Sequence, residues 1–243
     1  MKTLLIFLIV FFKIKSAEAP AHLDMWVNWN IGQGQWLTHI TNETCRHFDV
    51  GGEFGTFKRL KKSLIFYCGK KRNELILSHW DLDHFFNIPS LAKSFPGVCW
   101  LHKPEFAAEK PQAQKIIALK LSPCPGESPS FWQPARAETT NDSSAVFMEQ
   151  EVLIPGDSPI QQEKLWAYQV PGITSTRVLI LGHHGSRTST GRDLLSQLPH
   201  LKYAISSARY ARYHHPHPDT LGRLQAFHIP VLKTEDWGNI WFQ

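Results

Sequence analysis

The stretch Leu75-Ile76-Leu77-Ser78-His79-Trp80-Asp81-Leu82-Asp83-His84 runs an apolar segment straight into six residues holding two histidines and two aspartates. Residues 73–78 have the profile of a buried strand. Loops at strand ends are where open α/β sheets place their sites. In an extended segment His79 and Asp81 point the same way, while Asp83 and His84 aim at a second point as the chain turns into the next helix. Crowding these carboxylates without a cation is costly, because they repel each other and burial penalises their charge further. A solvated loop with helix-capping aspartates explains any one of these residues. Four ligand-type residues at this spacing favour a metal.

Working outward, Trp26, Val27, Trp29 and Ile31 read as a strand stopped at Gly32-Gln33-Gly34, followed by a second strand through Trp36, Leu37 and Ile40. Residues 47–50 form a third strand, ending at Gly51-Gly52. Phe57, Leu60 and Leu64 recur at helical spacing, predicting a helix over 55–66. Beyond the cluster the pattern predicts helices at 88–95 and 104–120, a strand at 98–101 and an irregular surface insertion at 122–144, rich in Pro, Ser and Thr. Strands are expected at 145–148, 152–154, 177–181, 203–206, 231–234 and 239–242, with helices at 192–198 and 218–227. Strands and helices alternate, with hairpin-like pairs at both chain ends, which favours a layered α/β sandwich.

The chain has 243 residues, enough for one domain with a sizeable core. Its 42% apolar and 19% charged content exclude a disordered chain. A net charge of +5 favours an anionic partner without proving one. Lys2, the apolar run Leu4 to Phe12 and the small residues Ala17, Ala19 and Ala21 have the layout of a signal peptide over residues 1–21. Cleavage falls after residue 19 or 21, leaving a domain over 22–243. The run is too short to span a bilayer as a helix, so no stable membrane insertion is expected after cleavage. Removing residues 1–19 leaves a charge of about +3. The expected location is secreted or periplasmic, where Cys45, Cys68, Cys99 and Cys124 form disulfides. Four cysteines allow three connectivities. Cys45–Cys68 with Cys99–Cys124 closes the shortest loops, and four free thiols remain the plain alternative.

Two more apolar strands deliver ligand-type residues: Leu153-Ile154-Pro155-Gly156-Asp157, and Val178-Leu179-Ile180-Leu181 followed by Gly182-His183-His184-Gly185-Ser186. Alone, Gly156-Asp157 would be a turn. The three strand ends together call for a metal.

In this order the motifs resemble the metallo-β-lactamase superfamily and, within it, the hydrolase domain of the ComEC family of competence proteins. The likeness runs from about Val27 to Ile240. Asn30-Ile31-Gly32-Gln33-Gly34 resembles the family's Asp-Val-Gly-Gln-Gly opening, and Asp49-Val50-Gly51 its Asp-x-Gly turn. The His-x-Asp-x-Asp-His cluster, Asn141-Asp142-Ser143-Ser144, Gly156-Asp157, Gly182-His183-His184-Gly185-Ser186, Tyr213-His214-His215-Pro216 and Thr234 to Gly238 follow in family order. The resemblance implies a four-layer αββα sandwich. It implies His79, Asp81, Asp83, His84, Asp157 and His183 as ligands of one or two divalent ions, Zn2+ or Mn2+, with Asp157 bridging. It also implies that Asp49 fixes a ligand from behind and that His184 caps or orients. Asp81 stands where the superfamily usually has histidine, and no further ligand histidine lies between His84 and Asp157. His102 reads as a strand end. The first metal position is thus rich in oxygen, which weakens zinc there.

The expected activity is phosphodiester hydrolysis by a metal-activated hydroxide, with DNA as the partner the resemblance implies. Asp83 and His215 are the candidate catalytic residues. His215 would hold a phosphate oxygen or protonate the leaving group, with Ser206 and Arg209 assisting in substrate binding. The basic run through Lys58, Arg59, Lys61 and Lys62 is compatible with backbone contacts, but such runs are more often solvated helix faces. The nine tryptophans belong mostly to core or rim. Two alternatives stay open: a small-molecule ester, lactone or lactam hydrolase on the same fold, and a non-catalytic binding protein. No protein partner is read from the sequence.

Overall fold

Leu75, Ile76 and Leu77 are apolar without alternation because their strand is covered on both faces. Leu75 and Leu77 pack toward helices, while Ile76 packs toward a second sheet. The same division splits the other two runs. Leu153 and Leu179 meet helices, whereas Val152, Ile154, Val178 and Ile180 face the opposite sheet. The computed structural model describes residues 23–106 and 110–243, so the expected signal peptide lies outside the described residues.

The first half of the chain contains β1 (Asp24–Asn28), β2 (Leu37–Thr41), β3 (Thr44–Phe48), α1 (Thr56–Cys68), β4 (Arg72–Ile76), α2 (Leu82–Phe85), α3 (Ile88–Ser94), β5 (Cys99–His102) and α4 (Pro111–Ile117). The second half contains β6 (Ser130–Trp132), β7 (Val146–Glu149), β8 (Val152–Ile154), α5 (Ile160–Trp166), β9 (Val178–Ile180), α6 (Arg192–Ser196), β10 (Tyr203–Ser206), α7 (Tyr210–Tyr213), α8 (Pro218–Ala226), β11 (Val231–Lys233), α9 (Thr234–Trp237) and β12 (Ile240–Phe242). They form two six-stranded sheets, ordered β12-β1-β2-β3-β4-β5 and β11-β10-β9-β8-β7-β6. Trp26, Phe48 and Ile76 of the first sheet interdigitate with Phe147, Ile154 and Ile180 of the second. Outer clusters join α1, α3 and α4 to the first sheet and α5, α6 and α8 to the second. The result is the four-layer αββα sandwich.

The parallel pairs β3–β4 and β4–β5, and β8–β9, β9–β10 and β10–β11, share one device. Each return crossover includes a helix, so the loops after β3, β4, β8, β9 and β10 gather at one end of the sandwich. That end carries the site.

Three expectations change. The last two strands are not a hairpin: β11 lies parallel to β10 in one sheet, while β12 pairs antiparallel with β1 in the other, α9 carrying the chain across. The segment 122–144 is not wholly irregular, because β6 extends the second sheet beside β7. Helix α5 lies outside the expected elements; Ile160-Gln161-Gln162-Glu163-Lys164-Leu165-Trp166 has three apolar residues, Ile160, Leu165 and Trp166, of which Trp166 alone is buried. The disulfides are Cys45–Cys68 and Cys99–Cys124, the short-loop pairing. Among the described residues no helix is long and apolar enough to cross a membrane.

A polar knot ties the sheets at one edge. His39 stacks on Trp26, with ring centroids 4.2 Å apart, and bonds Glu149 at 2.5 Å and Asp24 at 2.6 Å. Arg46 joins Glu149 to Glu74 at 2.8 and 3.0 Å. Burial lowers the His39 pKa, but Glu149 and Asp24 outweigh it and hold it above the ordinary 6.5. The folded ring binds its proton more tightly than the unfolded one, so this stabilisation is complete below 6.5 and is lost as pH rises through the raised value. Denaturant midpoints should therefore fall across that window. They should fall less in His39→Gln; an unchanged slope in the variant refutes the assignment.

Candidate metal centre

Asp49 begins the site from the end of β3. Its φ of 55° lies in the left-handed region and turns its carboxylate back under the next strand end. Oδ1 accepts the Ser78 N–H at 2.8 Å, and Oδ2 faces His84 Nδ1 at 2.8 Å. The ring of His84 is thereby fixed with Nε2 aimed into the centre. The next residues pack without side-chain space. Gly51 lies against the Asp83 carbonyl, Val50 N–H donates to the His84 carbonyl at 2.7 Å, and Gln35 N–H donates to the Asp83 carbonyl at 3.0 Å. The motifs around Gly34 and Gly51 thus cradle the backbone of the His79–His84 loop.

Asp157, at the end of β8, occupies the middle. One oxygen lies 3.1 Å from His84 Nε2 and 3.8 Å from His184 Nε2; the other lies 3.8 Å from His79 Nε2 and 3.5 Å from His183 Nε2. Ser144 Oγ accepts the Asp157 N–H at 3.1 Å and holds the turn. Asp81 Oδ2 is 3.6 Å from His79 Nε2, and Asp83 Oδ2 is 3.2 Å from His184 Nε2.

Successive residues of a strand point to opposite faces, yet His183 and His184 both face the centre. The reason is their left-handed backbone, with φ of 48° and 57°, a conformation that non-glycine residues hold only where the surroundings enforce it. His184 was expected only to cap or orient. Its ring instead clusters with Asp83 and His84. Two histidines in a row gave no sign of this, because their joint direction depends on the turn.

These residues fit a divalent cation. His79 Nε2, His84 Nε2, Asp157 Oδ1 and both ring nitrogens of His184 are buried with no hydrogen-bond partner. Such groups are costly unless something binds them. His79, His84 and Asp157 form one compact ligand group, and Asp83, His84 and His184 another. The charge balance agrees. Burial disfavours the charged form of His84, but Asp157 and Asp49 raise its pKa well above 6.5. Burial likewise pushes Asp157 up, and His84 and His184 pull it well below the ordinary range. The directions of both shifts mark the centre as a place where positive charge is favoured.

The other expected residues are dispersed around this group. Ser206 is wholly buried, and its hydroxyl donates to the His184 carbonyl at 2.9 Å. It supports the histidine turn and cannot touch substrate, which corrects the substrate-binding expectation. Arg209 pairs with Glu53 at 2.7 Å and remains half exposed. The His215 ring lies 5.8 Å from that of His183; burial first, then the neighbouring His184 and His183, pushes its pKa down to about 4. His217 Nδ1 accepts the Asp219 N–H and caps α8. His102 packs edge-on against Phe147 and at a tilt against Phe131, and it belongs to neither ligand group.

Two residues at the site carried no sequence signal. Lys110 Nζ pairs with Asp81 Oδ1, and Thr140 Oγ1 donates to Asp81 Oδ2 at 2.9 Å. Both are far from Asp81 along the chain, and neither sits in a motif. Beside the centre, a groove of about 490 Å3 is lined by Gln33, Glu53, Phe54, Asp83, Phe86, Arg212 and Tyr213. On the far side a cleft of about 590 Å3 includes Asn141, His183 and Arg187.

No family model matches the chain. It is 27% identical over 223 residues to the competence protein ComA of Neisseria gonorrhoeae, covering 88% of this chain and 31% of that protein. It is 29% identical over 194 residues to ComE operon protein 3 of Bacillus subtilis, covering 72% and 25%. It is 26% identical over 228 residues to recombination protein 2 of Haemophilus influenzae, covering 87% and 28%. The chain spans less than a third of the length of each of these relatives. Among solved structures it is similar to a diphosphatase from the PhnP family, with a TM-score of 0.55, 10% identity and 90% and 97% of the two chains covered. It is also similar to the metallo-β-lactamase fold protein YhfI of Bacillus subtilis, with a TM-score of 0.56, 12% identity and coverage of 90% and 98%. The architecture is the metallo-β-lactamase fold.

Proposed function

We propose, for a chain that has the metallo-β-lactamase fold and resembles competence proteins, a metal-dependent phosphodiesterase acting on DNA outside the cytoplasm. The observation that carries it is the convergence of the buried, unpartnered Nε2 atoms of His84 and His79 on the two oxygens of Asp157. His79, Asp81 and His183 would hold one divalent ion with one oxygen of Asp157, and Asp83, His84 and His184 a second with the other. A pair of such ions, zinc or manganese, lowers the pKa of water toward neutrality and neutralises charge developing on a phosphoryl oxygen.

The chain's own residues supply the rest. Burial, followed by the neighbouring His184 and His183, pushes the His215 pKa down to about 4, which favours the neutral ring at physiological pH. The neutral ring suits hydrogen bonding to a phosphate oxygen better than delivery of a proton to the leaving group. Asp49 keeps His84 in register through its ring N–H. Phe54, 95% exposed, and Tyr213, 52% exposed, stand with Arg212 along the groove beside Asp83. Exposed rings beside a cation suit the bases and phosphates of a single strand. Similarity to competence and recombination proteins supports the same substrate class. The two disulfides support an oxidising compartment.

Phe54→Ala with Tyr213→Ala should raise KM for a single-stranded oligonucleotide about tenfold and leave a small chromogenic phosphodiester unaffected, as stacking is worth about 1–3 kcal/mol per base. Equal effects on both substrates would remove the stacking role. The function itself is tested by incubating purified chain with Mn2+ or Zn2+ and labelled single-stranded DNA, beside Asp83→Ala. Cleavage by the wild type alone is expected. Intact DNA with either metal, together with cleavage of a chromogenic ester or lactam, would move the assignment to small molecules. If nothing is cleaved and no metal co-purifies, the enzyme reading fails.

A further inference from the structure

We infer that Lys110 discharges Asp81, so that the two cation positions around Asp157 bind unequally, one ion being resident and the other exchangeable. This rests on the metal-centre reading above. The asymmetry lies in what surrounds the two aspartates. Asp81 has both oxygens engaged by protein: Lys110 Nζ pairs with Oδ1, and the Thr140 hydroxyl donates to Oδ2. Among the described residues Asp83 has an ion pair only with His184, itself a ligand candidate; Arg212 feels its charge across the groove but lies beyond ion-pair distance.

His84 is the best supported of the four histidines, while His184 beside it has no hydrogen-bond partner at Nδ1. Behind His84 stands the Asp49 carboxylate, 2.8 Å from Nδ1, which makes Nε2 a stronger donor. Behind His79 stands the Ser78 hydroxyl, at 3.0 Å, which passes on the Asp49 carboxylate only at second hand through its own 2.9 Å bond to Oδ2, and behind His183 stands the side-chain amide of Asn141, at 3.3 Å. The position at Asp83 therefore feels the charge of Asp83, a share of Asp157 and the support of Asp49. The position at Asp81 feels a carboxylate already compensated by an ammonium, together with its share of Asp157. A dication is drawn to the more negative position, and the gap is widened because the centre is buried and poorly screened.

Lys110 reaches Asp81 from solvent. Its side chain is half exposed, and its backbone caps α4 from the position before Pro111, so removing the ammonium leaves the core intact. It acts through Asp81 and is a positioning residue. Its effect is on ion affinity, which can be read without turnover.

The test is a titration of the metal-free full chain with Zn2+ by calorimetry and with Co2+ by visible absorption, with a circular-dichroism melt to check folding of each variant. The wild type should bind two ions in steps separated by at least about tenfold in Kd. Lys110→Met should tighten the weaker step about tenfold and leave the tighter one in place, while Lys110→Arg, which keeps the charge, should preserve the wild-type gap. Asp83→Asn should weaken the tight step and Asp81→Asn the weak one. Equal steps in the wild type, an unchanged or weaker second step in Lys110→Met, or the reverse assignment of the two aspartates would overturn the inference while leaving the metal centre standing. No ion bound by any variant would remove the centre itself, and the inference with it.

Discussion

Asp157→Ala is expected to lower phosphodiester hydrolysis by roughly three orders of magnitude or more and to strip the chain of bound metal. Asp157 offers one oxygen to each side of the centre: one faces His84 and His184, the other His79 and His183. Losing it removes a ligand from each position and leaves the histidine nitrogens without their common partner. The fold should survive, because Asp157 lies at a loop end, outside the three apolar clusters. Metal content by elemental analysis and turnover of labelled DNA are the measurements. A variant that keeps both ions and most of its turnover would end the bridging role.

Gly51→Ala is expected to be the most damaging single methyl in the molecule. A Cβ at Gly51 would sit 1.5 Å from the Asp83 carbonyl oxygen and 2.9 Å from the His84 Cα, both backbone atoms that no rotamer change can clear. The loop bearing four candidate ligands must then move. A cost of about 3–5 kcal/mol, or a melting temperature lower by roughly 10 °C, is expected, together with lost metal affinity. Gly222→Ala, within α8, is the contrast: its Cβ meets nothing within 4 Å. That variant should gain up to about 1 kcal/mol from helix propensity. Thermal melts of the two variants should therefore shift in opposite directions. Two shifts of the same sign and size would contradict the close-packing account.

Much of the fold was legible because its strands announce themselves. Runs such as 75–77, 152–154 and 178–181 are apolar without alternation, the mark of strands covered on both faces. Helix α5 was not legible, because its buried face is made by Glu163 and Trp166 while the apolar Leu165 points to solvent, so its apolar residues show no helical period. Nor was the parting of β11 and β12 into different sheets. Two short strands close in sequence look like a hairpin, and only their partners β10 and β1 separate them.

The site divides along the same line. The sequence by itself determined that His79, Asp81, Asp83, His84, Asp157 and His183 stand at the ends of apolar strands, since strand ends and ligand types are local properties. Tertiary structure alone decided that His184 turns inward, that Ser206 is spent on the His184 carbonyl, and that Lys110 and Thr140 take both oxygens of Asp81. The physical reason is that a side chain's direction in a left-handed turn, and its partner across a long loop, depend on packing between segments far apart in the chain. The cluster from His79 to His84 could thus be read as a metal site, whereas the inequality of its two positions depends on a lysine 29 residues from Asp81.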